Sequence, residues 1–356
     1  MKQGKVTAYP RRRSKTSQAD LFEKSWETSG QALAQVAEQR SALPHVDDAG
    51  DSPKATAREL PFHAPDNPYQ GCDHGCVYCF ARPSHRFQDH PLGLDFETLL
   101  YAKRNAAHAL SRELDTPDYK PETLILGANS DPYQPVEKRQ ETTRDLLSVL
   151  LERKHPVSIT TASTSVLRDL DILQKLASER LVNVFMSIST LDQGLAATLE
   201  PRVASPRRRL DVMEVLRDAG VSVGLLCSPL VPGLTDFDLE RVIQKGHRAG
   251  ASVVGYSLLQ LAPEMRQFFE AWLREHHPEQ ADKVLNLTRE TRHGATISAK
   301  SLAQPTGAGV YAAMIQQRFD RVVSSLEVNR APIRLRKDLF VGVKAPRKGR
   351  RQIPLF

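Results

Sequence analysis

Apolar and polar positions follow two different regimes along this chain. Up to residue 57 the sequence is polar, rich in Ala, Ser and Asp, and weakly periodic, which predicts disorder with one short helix around 32–40. From about Arg58 onward, apolar runs of strand type alternate with stretches of helical spacing. "ETLILGA" (122–128) reads as a buried strand and "RQETTRDLLSVLLERK" (139–154) as the helix after it. The pairs continue with strand 157–163 and helix 166–179, strand 181–189 and helix 205–220, strand 221–231 and helix 236–250, then strand 252–261. Gly220 and Gly250 stand where the last two helices should stop.

Continuous apolar strands separated by helices predict an α/β protein with a parallel sheet covered by helices on both faces. The sheet is either barrel-like or doubly wound. No helix opens with Gly-x-Gly-x-x-Gly, so a dinucleotide fold has no fingerprint here. In a barrel, functional residues sit at the C-terminal ends of strands. Asn129, Ser130, Asp131, Thr161, Ser163, Ser187, Ser189, Cys227 and Ser228 all fall at such ends.

Composition narrows the class. Among 356 residues, 40% are hydrophobic, ordinary for a soluble globular chain. No apolar run is long enough to span a membrane, and no apolar segment follows the basic start as a signal peptide would require. A cytoplasmic protein is expected. The net charge of +7 is carried by the tails: residues 1–16 hold six Lys/Arg and no acid, and residues 330–356 hold nine Lys/Arg against Asp338. These basic arms are suited to neutralising phosphates, or are simply solvated ends.

Three of the four cysteines crowd into "NPYQGCDHGCVYCFARP" (67–83). Cys72, Cys76 and Cys79 are spaced C-x3-C-x2-C on a stretch opened by Asn-Pro and containing Gly71 and Gly75, hence a loop. Four scattered thiols would suggest a disulfide framework in a secreted protein; three clustered ones suggest ligands. Structural zinc needs a closed fourth ligand, which His63, His74 or His85 could supply. A four-iron cluster held by three thiolates instead leaves one iron open for binding something.

C-x3-C-x2-C at the head of this β/α run resembles the radical S-adenosylmethionine (SAM) superfamily, whose six-strand barrel makes 58–69 a weak first strand and brings the count to six. "NPYQGCDHGCVYCFAR", "SDPYQPVEK", "EPRVASPRRRLDVMEVLRDAGVSVG" and "PLVPGLTD" are together similar to its spore photoproduct lyase-like, or DNA repair photolyase-like, branch, over about residues 58–294. The resemblance implies a partial (β/α)6 TIM-like barrel between disordered basic arms: an arm at 1–57, the radical SAM core at 58–294, and a helical segment with a basic tail at 295–356. It implies a 4Fe–4S cluster on Cys72, Cys76 and Cys79, with SAM chelating the open iron. One electron would then cleave SAM and release a 5′-deoxyadenosyl radical. By position, Tyr78 would lie against the adenine, Ser130 would meet the SAM amino group, Ser187 and Ser189 the ribose or carboxylate, and Arg202 the carboxylate. The turn "PLVPGLTD" (229–236) would pack near the adenine. The branch uses a cysteine as hydrogen donor at a different position, so Cys227 reads first as a small buried hydrophobe and only second as a donor.

The arms carry one more pattern. Gln18, Leu21 and Phe22 in "QADLF", and Gln352, Leu355 and Phe356 in "QIPLF", share the frame Q-x-x-L-F. This resembles the peptide by which bacterial repair proteins dock on the DNA sliding clamp. The first reading of the sequence is therefore a radical SAM enzyme acting on DNA, served by an electron donor such as flavodoxin or ferredoxin. A radical SAM enzyme with a protein or small-molecule substrate is the second reading, and a zinc-stabilised nucleic-acid-binding module the third.

Overall fold

The computed structural model describes residues 67–82, 95–98, 100–103, 105–117, 119–292, 305–330 and 333–342. Both basic arms, with their Q-x-x-L-F segments, lie outside the described residues apart from the stretch up to 342. Most of the expected first strand (58–69) lies outside them too. Its visible end is β1 (Tyr69–Gln70). After α1 (Asp95–Thr98) the chain returns as β2 (Tyr101–Ala102), which pairs antiparallel with β1, so this end forms a small separate ribbon. The helix α2 (Ala106–Leu114) follows.

The main sheet then builds in five steps: β3 (Leu124–Leu126), β4 (Val157–Thr161), β5 (Val182–Ser187), β6 (Ser222–Leu230) and β7 (Val253–Leu258). Every neighbour is parallel and the spatial order is the chain order. A doubly wound sheet reverses its strand order at a switch point; this one never does. It winds in one direction, as a partial TIM-like barrel does. The described residues thus give five parallel strands where the sequence suggested six.

Helices make the crossovers. The helix expected at 139–154 is broken into α3 (Glu137–Gln140) and α4 (Thr142–Glu152) at Glu141, whose φ of 53° is left-handed. The Glu137 carboxylate explains the break: it accepts the Thr143 N–H at 3.1–3.2 Å, capping the new helix from the turn before it. A 3-10 turn leads into α5 (Leu170–Ser178), and α6 (Gln193–Leu199) precedes α7 (Pro206–Asp218). The helix α7 has Pro206 in its first turn and ends at Gly220 with φ 79°, where the N–H groups of Gly220 and Val221 return to the carbonyls of Arg217 and Leu216. Past α8 (Leu239–Arg248) and β7 come α9 (Arg266–His276), α10 (Ala281–Glu290) and α11 (Val310–Leu326).

The two faces of the sheet differ. Val157, Ile159, Val184, Met186, Val223, Leu225 and Cys227 are buried against the helices in the main core, which also takes Ile315 and Phe319 of α11. The alternate residues Ser158, Thr160, Phe185, Ser187, Leu226, Ser228 and Ser257 face inward and remain half-buried. A side chain at Gly224 would collide with the Phe185 ring, so Phe185 lies across that strand and partly floors the interior. Uniformly apolar runs predicted burial on both faces; the inner face is instead polar and partly open.

The stretch 333–342 crosses the N-terminal ends of three strands. The Arg336 N–H donates to the Arg180 carbonyl ahead of β5 and the Val341 N–H to the Arg153 carbonyl ahead of β4, at 3.0 and 2.8 Å. Lys337 pairs with Glu122 ahead of β3, and Phe340 packs on Tyr119 and His155. Among the described residues no helix is long and apolar enough to cross a membrane.

Candidate active site

The cysteine loop lies at the C-terminal ends of the strands, where the peptide chain after β3 and after β5 rises to meet it. Gly71 and Gly75 have φ of 81° and 71°, a backbone state that favours glycine, and they let the loop double back. Gly75 has a second reason: an added Cβ would run into the Arg202 guanidinium. The loop is tied down from all sides. The Cys72 N–H donates to the Phe96 carbonyl, the Val77 N–H to the Leu199 carbonyl, and the Arg202 N–H to the His74 carbonyl, at 3.0, 3.0 and 3.2 Å. Arg82 is fully buried, pairs with Glu97, and donates to the Cys76 carbonyl at 3.2 Å.

The three loop thiols are free. Burial pushes all of them above the ordinary thiol range, with Asp131 adding to the shift at Cys72 and Glu200 at Cys76, while the Arg82 charge pulls Cys79 back. A thiolate in such a place needs a cation beside it. Three soft sulfur donors on one glycine-bent loop suit an iron–sulfur cluster. Among the described residues no three His, Cys, Asp or Glu side chains close round one point, as a single ion requires. Of the histidines considered for zinc, His63 and His85 lie outside the described residues, and the His74 imidazole faces the Asp131 carboxylate at 3.7 Å.

Each remaining residue singled out in the sequence has a definite place. The Tyr78 hydroxyl donates to Glu200, and its ring packs beside Val77 on a second apolar cluster built from α9 and α10. Ser189 is buried and also donates to Glu200, at 3.4 Å. Ser187 faces the interior and donates to the Ser228 carbonyl at 2.9 Å, while the Ser228 and Ser257 hydroxyls bond at 2.5 Å. Ser130 is buried beneath the loop, its hydroxyl 2.7 Å from the Tyr69 carbonyl. Arg202, expected at the SAM carboxylate, commits its guanidinium to Glu97 and the Asp73 carbonyl. Cys227 is wholly buried with its thiol pushed up by burial alone, on the same strand face as Leu225, which packs on Gly246 of α8. It points into the helix layer, so the hydrogen-donor role considered for it has no geometric basis.

The turn 229–236 ("PLVPGLTD") is held by its own polar residues: the Val231 N–H donates to the Thr235 hydroxyl and the Gly233 N–H to Asp236, at 2.8 and 2.6 Å. Val231 and Leu234 join the cluster that receives Val77 and Tyr78.

Glu200 and Arg209 were missed in the sequence. Both are buried and paired; Glu200 gathers Tyr78, Ser189 and Arg209, and Arg209 also donates to the carbonyls of Ser187 and Ala204 at 2.7 and 2.8 Å. Their one sequence signal was their place in "EPRVASPRRR".

The Radical SAM superfamily model matches residues 67–246, half of the chain. An uncharacterized protein of Mycobacterium tuberculosis (strain H37Rv) is 36% identical over 235 residues, covering 65% of this chain and 69% of the relative. One of Methanocaldococcus jannaschii is 25% identical over 227 residues, covering 64% of this chain and 81% of the relative. The fold is similar to that of a spore photoproduct lyase variant, with a TM-score of 0.55 at 14% identity over 86% of this chain and 91% of that one. This chain belongs to the radical SAM superfamily. Its cofactors are a 4Fe–4S cluster and SAM, and the cysteine loop offers the donor set that the cluster needs.

Proposed function

We propose that this protein is a radical SAM enzyme of nucleic-acid repair, cytoplasmic, with Cys72, Cys76 and Cys79 as cluster ligands. When bound, the reduced cluster supplies the electron that cleaves SAM to methionine and a 5′-deoxyadenosyl radical. The protein's own contribution is placement. Glu200 fixes the Tyr78 ring beside the last cysteine, Ser187 presents a hydroxyl on the inner face, and Phe185 limits the depth of the interior. The observation that carries the reading is the cysteine loop seated at the open end of a polar-lined parallel sheet. DNA as the substrate is supported by the rim: Arg207 and Arg208 are exposed at the start of α7, on the same side as the loop, and neither has an ion-pair partner among the described residues. Two cations at the positive end of a helix dipole oppose it, and a phosphate chain would relieve that. A fold similar to that of a spore photoproduct lyase solved with its dinucleoside photoproduct adds support (TM-score 0.51).

The test is release of 5′-deoxyadenosine by the anaerobically reconstituted, dithionite-reduced protein, with and without ultraviolet-irradiated DNA. Stimulation by damaged DNA is expected. Release without stimulation by any DNA moves the substrate to a protein or small molecule. Binding to duplex DNA should show a salt slope that falls by about 2 in the Arg207→Ala/Arg208→Ala variant, one unit for each phosphate that is no longer neutralised. An unchanged slope removes the rim from the reading.

The Q-x-x-L-F segments extend the same proposal to a bacterial sliding clamp as partner. A Leu355→Ala/Phe356→Ala variant should lose most of its binding to purified clamp, and Leu21→Ala/Phe22→Ala should weaken it less. If all four changes together leave binding intact, the segments are not clamp tethers.

A further inference from the structure

The segment "SDPYQPVEK" (130–138) has no assigned task beyond Ser130. Its backbone turns with a period of three: the Gln134 N–H returns to the Asp131 carbonyl and the Glu137 N–H to the Gln134 carbonyl, at 3.3 and 2.9 Å. Residues three apart then lie above one another. Asp131, Gln134 and Glu137 form one edge, and that edge meets the cysteine loop rung by rung. Asp131 faces His74, Gln134 faces Asp73 and Gly71, and the Glu137 carboxylate accepts the Tyr69 hydroxyl. Gln134 and Glu137 are fully buried.

The middle rung is the specific one. The Gln134 Oε1 accepts the Asp73 N–H at 3.1 Å and its Nε2 donates to the Gly71 carbonyl at 3.2 Å. Those two peptide groups flank Cys72, whose own N–H is taken by Phe96. A side-chain amide here does what a neighbouring strand would do, in a loop too tightly turned at Gly71 to have one.

We propose that Gln134 is a positioning residue for the iron–sulfur cluster, fixing Cys72 by closing on the peptide groups either side of it. This rests on the cluster being held by the loop, and not on DNA as substrate. Two consequences are separable. Without Gln134, the Gly71 carbonyl and Asp73 N–H lose their partners in a buried place, so the loop must open to satisfy them. A freed Asp73 N–H also becomes available to cluster or cysteine sulfur, and added N–H donors raise the potential of such a cluster.

The experiment uses reconstituted full-length protein without DNA. In Gln134→Leu, iron should pass to an iron(II) chelator about tenfold faster than in wild type, and a redox titration followed by electron paramagnetic resonance should move to higher potential. Gln134→Glu keeps the acceptor for the Asp73 N–H and loses the donor to the Gly71 carbonyl, so it should release iron at an intermediate rate while its potential does not rise above that of wild type. Leu173→Ala, a core change remote from the loop, should lower thermal stability with the resonance spectrum and potential of wild type. If Gln134→Leu releases iron at the wild-type rate and titrates at the wild-type potential, the proposal is overturned. Should Gln134→Leu not purify as a folded protein, Gln134→Glu decides by the rate of iron release, and a wild-type rate overturns the proposal.

Discussion

Replacing Cys76 with Ala should abolish the iron–sulfur cluster, while replacing Cys227 with Ala should leave it whole: this is the largest effect expected of any single change here. On the proposed assignment each loop cysteine supplies a donor that Cys227 cannot replace, since Cys227 is turned toward the helices in the main core. Iron and acid-labile sulfide, measured in anaerobically purified Cys72→Ala, Cys76→Ala, Cys79→Ala and Cys227→Ala, check it. The first three should lack the broad absorption near 400 nm that iron–sulfur clusters show, an approximate band position that follows from sulfur-to-iron charge transfer. Cys227→Ala loses only a buried sulfur, a change of about 1 kcal/mol in stability. Full iron occupancy in Cys76→Ala would overturn the ligand assignment, as would loss of iron confined to Cys227→Ala.

Glu200→Ala carries the second large effect. The carboxylate and the Arg209 guanidinium are each 1% exposed. Truncating one leaves the other charged, buried and unpaired, which costs about 3–5 kcal/mol. In a domain of this size that is a fall in Tm on the order of 10 °C. The Tyr78 hydroxyl loses its acceptor in the same stroke, so the ring beside Cys79 is freed as well. Arg209→Ala should cost about as much, and the double variant clearly less than the two together, because the pair is removed as a unit. Thermal unfolding of the cluster-loaded proteins measures all three. Single variants within about 1 kcal/mol of wild type would mean that water reaches the pair and that it does not hold the loop.

The strands and the cysteine loop were legible because each rests on a strong local signal. Apolar β-branched runs such as "SITT" and "VNVFMS" have no competing reading once a helical stretch follows each, and three thiols in eight positions have few bland explanations. The break at Glu141 was not legible, since its cause is the carboxylate of Glu137, a charged residue expected on a helix surface. The same default hid Arg82, Glu97, Gln134, Glu200 and Arg209: charged and amide side chains are ordinarily exposed, and only tertiary partners reveal the exceptions. Ser130, Ser187 and Ser189 were placed at strand ends correctly, but which hydroxyl faces the interior depends on pleat and register. Ser187 faces it, while Ser130 and Ser189 are turned to the loop supports.

The stretch 333–342 gives the molecule a front and a back. It is moored to Arg153, Arg180 and Glu122, all ahead of the strands, whereas the cysteine loop rides past their far ends. Five or six strand residues separate the two, about 20 Å. Whatever grips the exposed basic residues of this stretch, Arg334 and Lys337, takes the molecule from behind, and need not displace a substrate at the opening. Such a ligand and a substrate should act as independent, noncompetitive occupants: holding that stretch would alter how often the opening meets its target, without altering how tightly that target is bound once there.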